Sequence, residues 1–190
     1  FKIGGEVSKL GFKDFRLTIG NIKYQHLEFE QESLTKKFLN GTRFKNEVLE
    51  IKAEVNHHLL DRFNTQHSGR MGLQWVDLKF SAENMRLLGG GEDFIPAADQ
   101  RSLGLFFYDQ FPLAKGLLEL GGRYEWQEIS QQEFTAGLLP DNTQFLHEPI
   151  TYQNYTFSGA LSLDLSDQHR LVLGLNLAQR SPEIQELLSL

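Results

Sequence analysis

The stretch Arg170–Gln179 alternates without a break. Leu171, Leu173, Leu175 and Leu177 fall on one side of an extended chain, and Val172, Gly174, Asn176, Ala178 and Arg180 on the other. No helix keeps those four leucines on one face; a strand does so by its period of two. An all-leucine face opposite a small and polar one suits lipid on one side and a wet lumen on the other. The alternation stops at Ser181-Pro182. Ser is a good helix N-cap and Pro fits the first helical position. Ile184, Leu187 and Leu188 then share a helical face, so the strand is expected to run into a short helix.

The rest of the chain repeats the strand pattern. Strands are expected over Phe1–Ser8, Arg16–Glu30, Arg43–Asn56, Gly69–Ser81, Gln100–Gln110, Leu117–Ile129 and Tyr155–Leu165. In Arg16–Glu30 the apolar phase slips from Leu17 and Ile19 to Ile22 and Tyr24, then to Leu27 and Phe29. Bulges near Gly20 and His26 would absorb those slips. In Leu117–Ile129, Leu118, Leu120, Tyr124 and Trp126 oppose Glu119, Arg123 and Glu125. Several of these strands exceed the soluble mode of about 5 to 6 residues, and a tilted membrane strand needs roughly 9 to 11.

The connections alternate in length. Lys9–Asp14, His57–Ser68, Pro112–Gly116 and Ser166–His169 are expected to be short turns, and Gln31–Thr42, Glu83–Asp99 and Ser130–Thr151 long loops. An up-and-down membrane barrel has this asymmetry, with short turns on one side and longer loops on the other; a soluble β-sandwich has no reason for it. Tyr24, Phe29, Phe44, Phe80, Tyr124, Trp126, Tyr155 and Phe157 lie toward the long loops, and Phe12, Phe15, Phe107 and Phe111 toward the turns. Two aromatic girdles would read this way. The expected fold is therefore all-β, an antiparallel up-and-down transmembrane β-barrel segment of about eight strands belonging to a larger barrel.

Composition narrows the function. No apolar run approaches the roughly 18 to 20 residues of a membrane helix, a test to which barrel strands are blind. The net charge of −6 argues against nucleic acid as a partner. Without cysteine there is neither a disulfide framework nor a thiolate metal site. No Ser–His–Asp arrangement stands out, and Gly89-Gly90-Gly91 lacks the lysine and helix of a phosphate cradle. No enzyme is expected.

Arg180-Ser181-Pro182-Glu183-Ile184-Gln185-Glu186-Leu187 resembles the Arg-Ala-Pro-x-x-x-Glu-Leu motif of TonB-dependent outer-membrane receptors, with Arg180, Pro182, Glu186 and Leu187 matching and Ser181 in place of Ala. Glu92 to Leu103, through Asp93-Phe94-Ile95-Pro96, is similar to a loop-to-strand passage in the zinc-uptake branch of that family. Arg43-Phe44-Lys45-Asn46-Glu47 is a weaker match to the same branch. The resemblance implies a barrel in the bacterial outer membrane that takes up a metal ion or chelate, zinc foremost, with energy delivered through TonB. It also implies a plug domain and a final barrel strand, both expected outside these 190 residues, and no resident cofactor, zinc being cargo. A passive porin-like or structural outer-membrane barrel is the alternative.

The motif is expected to end a barrel strand and open an extracellular loop. His147, Glu148 and Asp141 share the longest expected loop, and Glu92 and Asp93 lie in another. Imidazole and carboxylate suit zinc, so these five residues are the candidate ligand contacts, with His147 the candidate metal ligand. Solvated loop side chains are the plainer reading. His57-His58 reads as a solvated turn pair in preference to a shared metal site, since an extended chain would aim its members at opposite faces. Glu119, Arg123 and Glu125 read as lumen charges paired with neighbouring strands or a plug, or less simply as a catalytic carboxylate set.

Overall fold

The computed structural model describes residues 1–7, 11–30, 40–60, 66–86, 93–131 and 148–188. Eight strands follow one another: β1 (Lys2–Glu6), β2 (Phe12–Glu30), β3 (Asn40–Leu60), β4 (Gln66–Arg86), β5 (Asp93–Leu113), β6 (Gly116–Gln131), β7 (Ile150–Ser166) and β8 (His169–Ala178). A short helix, α1 (Ile184–Leu188), closes the described chain. Each strand pairs antiparallel with its neighbours in sequence, giving a single up-and-down meander. β1 and β8 do not pair with each other, so the sheet is open. No helix among the described residues is long and apolar enough to cross a membrane.

The strands outrun their sequence expectation. β2 spans 19 residues, β3, β4 and β5 each 21, β6 16 and β7 17. Roughly 9 to 11 residues cross a bilayer, so the hairpins continue well past that length. Backbone pairing is why: an antiparallel neighbour satisfies N–H and C=O groups whether or not the side chains alternate in polarity. The expected connections shrink accordingly. His57 and His58 lie in β3, and Ser68 in β4, so the turn is confined to 61–65. Of the expected loop Glu83–Asp99, the first part belongs to β4 and Asp93 onward to β5. Pro96 is accommodated because the β4–β5 register shifts between Phe80 and Ala82 and again before Glu83. An irregularity is where a strand tolerates a missing N–H.

The expected bulges near Gly20 and His26 are absent. β2 pairs with β3 in unbroken register from Asp14 to Glu30, and its one shift lies between Phe12 and Asp14. Unbroken register keeps strict alternation, so Ile22, Tyr24 and His26 face opposite to Leu17, Ile19, Leu27 and Phe29. Cross-strand partners share a face. One face accordingly carries Leu17, Ala53, Leu73, Leu105 and Tyr124, with Tyr155 beyond them; the other carries Lys52, Gln74, Gly104, Glu125 and Asn154. The apolar face lies open: Leu105 is 50% exposed and Leu175 69%. Phe29, Tyr124, Trp126, Tyr155 and Phe157 stand on it. Tyr24, Phe44 and Phe80, expected in the same girdle, point to the polar side.

That inward turn gives the sheet its one buried apolar cluster among the described residues. Phe80, Ala82, Ala98, Ile129 and Ile184 are buried together, with Phe44, Leu78, Tyr152 and Leu187 against them. The cluster lies at the end of the sheet bearing the 31–39, 87–92 and 132–149 connections, and α1 folds back over the polar-side surface there.

Candidate functional site

Charged and amide side chains on the polar face bridge neighbouring strands. Gln74 Nε2 donates to Glu50 Oε1 at 2.6 Å, and Arg123 Nη1 donates to Gln74 Oε1 at 2.9 Å. Arg123 reaches across β5 because residue 104 is glycine; a Cβ there would lie 2.5 Å from Arg123 Nη2. The same guanidinium pairs with Glu125, its Nε donating to Oε2 at 2.9 Å. Glu119 accepts hydrogen bonds from Tyr108 Oη and from Gln110 Nε2. Asn56 Nδ2 donates to Asp14 Oδ1 at 2.6 Å, and Arg70 Nε donates to Asn56 Oδ1 at 2.9 Å. Glu119, Arg123 and Glu125 are thus tied to each other or to adjacent strands. Such half-solvated pairs fix side-chain positions more than they add stability.

The segment after β8 roofs this face. Arg180 and Glu186 form a two-pronged pair, Nη1 to Oε2 at 2.9 Å and Nη2 to Oε1 at 2.7 Å. Glu186 also accepts from the backbone N–H of Glu183 at 2.9 Å, and the Leu187 N–H donates to the Glu183 carbonyl. Glu186 therefore reaches back to the residue that precedes the helix, one half of a capping box. The expected Ser181 cap and Pro182 helix start are not observed, since α1 begins at Ile184. The Ser181 hydroxyl, buried, instead accepts from Asn154 Nδ2 of β7. Two anionic-state hydrogen bonds, first from Arg180 and then from the Glu183 amide, hold the Glu186 carboxyl down at about 2. Beneath the roof is a polar pocket of about 210 Å³ lined by Arg123, Glu125, Gln127, Asn154, Thr156, Arg180 and Ser181 among others. A second pocket, of about 250 Å³, is lined by Asn46, Leu78, Phe80, Gln100, Glu183 and Ile184. The motif segment, expected to open a loop outward, lies with Ile184 packed on Phe80, Ala98 and Ile129.

The candidate ligand contacts fare differently. His147, Asp141 and Glu92 lie outside the described residues. Asp93 opens β5 opposite Glu83, and Glu148 is exposed just before β7.

Sequence reasoning passed over a different set. His57 is no solvated turn residue: it lies in β3 and is 2% exposed, while His58 on the opposite face is exposed. His57, His67 and Asp109 each offer a donor atom within 4.8 Å of the others. They come from β3, β4 and β5 at the end bearing the 61–65 and 114–115 turns. Asp109 pairs across β6 with Leu120, so the cluster stands on the apolar face. The only sequence signal was the pairing of His57 with Gly69, which becomes visible once the β3–β4 turn is placed at 61–65.

One protein-family model, described as TonB dependent receptor-like, beta-barrel, matches residues 7–189. No curated protein matches the chain.

Proposed function

Because this chain belongs to the TonB-dependent receptor β-barrel family, a family of outer-membrane transporters, we propose that it forms part of a receptor that takes up zinc or a small metal chelate with energy delivered through TonB. The single observation that supports a transport barrel is the two-faced meander itself. An open apolar face suits lipid, and a face of Gln74, Arg123, Glu125 and their partners suits a watered lumen. The cargo reading rests on the oxygen and nitrogen donors near the long connections: His147, Glu148, Asp141, Glu92 and Asp93. His147 is the proposed metal contact among them. A plug domain would occupy the lumen and carry the contact to TonB. The barrel residues would bind and orient rather than make or break bonds.

The test is radioactive zinc uptake by zinc-starved cells carrying the intact gene, a deletion of it, or the intact gene without TonB. The reading expects uptake to fall to the deletion level when TonB is removed. Uptake that persists without TonB would make the protein a passive pore, and uptake that ignores the gene would remove zinc as cargo.

A further inference from the structure

His57, His67 and Asp109 sit apart from that route. They stand on the face that carries Val55, Met71 and Phe107, opposite the polar face, near the end of the sheet bearing the short turns. The strand register assembles them. His57, Gly69 and Asp109 are directly opposite one another on three adjacent strands, and His67 is two residues along β4 from Gly69. The middle position has no side chain, and a Cβ there would collide with the Asp109 carboxylate and the Tyr108 carbonyl. That gap lets His57 Nε2 come within 3.2 Å of Asp109 Oδ1.

The two atoms do not, however, make a hydrogen bond. Both ring nitrogens of His57 and Oδ1 of Asp109 are closed to solvent and have no hydrogen-bond partner among the described residues. The His57 side chain is 1% exposed. His67 stacks on Phe111 with centroids 5.0 Å apart and meets the His57 ring edge-on at 5.9 Å. Buried polar atoms usually find a hydrogen-bond partner, and here His57 Nε2 and Asp109 Oδ1 meet as a histidine–carboxylate contact without hydrogen-bond geometry. Tetrahedral zinc with bonds of about 2.0 to 2.1 Å places neighbouring donor atoms about 3.3 Å apart. The His57–Asp109 separation of 3.2 Å is close to that spacing, and donor atoms of all three residues lie within 4.8 Å of one another.

We propose that His57, His67 and Asp109 form a structural site for a divalent transition metal ion such as zinc, fastening the β3–β4 hairpin to β5 on the lipid-facing side of the barrel. Two imidazoles and a carboxylate are a suitable donor set for zinc, leaving a fourth position to water. The site does not depend on what the receptor transports.

The experiment uses the intact outer-membrane protein in detergent, stripped with chelator and carrying His147→Ala to remove the proposed cargo contact. It is titrated with zinc chloride by calorimetry and with cobalt(II) by visible absorption. This protein is expected to bind one more equivalent of zinc than its folded His57→Gln/His67→Gln derivative. Asp109→Asn is expected to weaken that equivalent by at least about tenfold, because even partners behind metal ligands cost 10- to 100-fold when changed. The cobalt spectrum should lose its tetrahedral bands in both variants. Equal stoichiometry and affinity in the folded double variant overturns the site. Should the double variant not fold, the isosteric Asp109→Asn decides, and unchanged zinc affinity with an unchanged cobalt spectrum overturns it equally.

Discussion

At the scale of single residues, parity along a strand decides what each side chain meets. Leu175 and Asn176 are neighbours in β8, yet Leu175 pairs with Gly159 on the apolar face and Asn176 with Ser158 on the polar one. An arginine on the lipid face near the bilayer midplane costs roughly 2 to 4 kcal/mol, and little on the lumen face. Leu175→Arg is therefore expected to lower folding stability in lipid vesicles by that amount, with Asn176→Arg close to wild type; urea titration of the two in the intact barrel compares them. Leu120 would be a poorer probe, since an arginine there would face Asp109 across the β5–β6 pair. Glycines act at the same scale by absence. Gly104 opens the way for Arg123 to reach Gln74, and Gly69 opens the way for His57 to approach Asp109. Neither long reach can be read from the chain, because it depends on which residue lies across the strand pair.

At the scale of elements, α1 shows how a helix of five residues holds a fixed place. Isolated helices that short are not stable in water. This one is held by burial of Ile184, which is 4% exposed, and burying an isoleucine side chain contributes about 1.5 to 3 kcal/mol. The Arg180–Glu186 pair and the bond from the Glu183 amide set its start. The Glu186 carboxyl lies at about 2, below its ordinary 4.5. A depressed carboxyl contributes fully above the ordinary value, progressively less as pH falls toward the folded value, and nothing below it. The α1 amides are thus expected to keep much of their hydrogen-exchange protection at pH 4. In Arg180→Ala the Glu186 titration, followed by carboxyl NMR, should move back up toward 4.5. A wild-type Glu186 that titrates near 4.5 would contradict this geometry. The sequence did announce a helix after Ser181-Pro182, and the Arg180–Glu186 spacing was visible. Its cap and direction were not, because Asn154 of β7 takes the Ser181 hydroxyl.

At the scale of the whole molecule, the meander has two free edges among its described strands, β1 and β8. Exposed strand edges are unfilled hydrogen-bonding templates, and a lipid-embedded sheet has to satisfy them. In the intact receptor β1 and β8 are expected to pair with other strands and not with each other. Cysteines placed at Lys2 and Val172 should then fail to crosslink under oxidation, whereas cysteines at the paired positions Ser162 and Val172 should crosslink. Efficient linkage of Lys2 to Val172 would mean that the eight strands close on themselves, as small barrels do.

What the sequence determined by itself is whatever follows from local period. Strict alternation identified β6, β7 and β8, assigned Leu118, Leu120, Tyr124 and Trp126 to one face and Glu119, Arg123 and Glu125 to the other, and set the order of long and short connections. Strand ends, the facing of Ile22 and Tyr24, the inward docking of α1 and the His57–His67–Asp109 cluster were decided only in three dimensions. The physical reason is common to all four. Each depends on register, the choice of which residue lies opposite which on the neighbouring strand. Backbone hydrogen bonds enforce that choice regardless of side-chain polarity, so it carried the hairpins through polar stretches and kept β2 straight where the apolar pattern slipped.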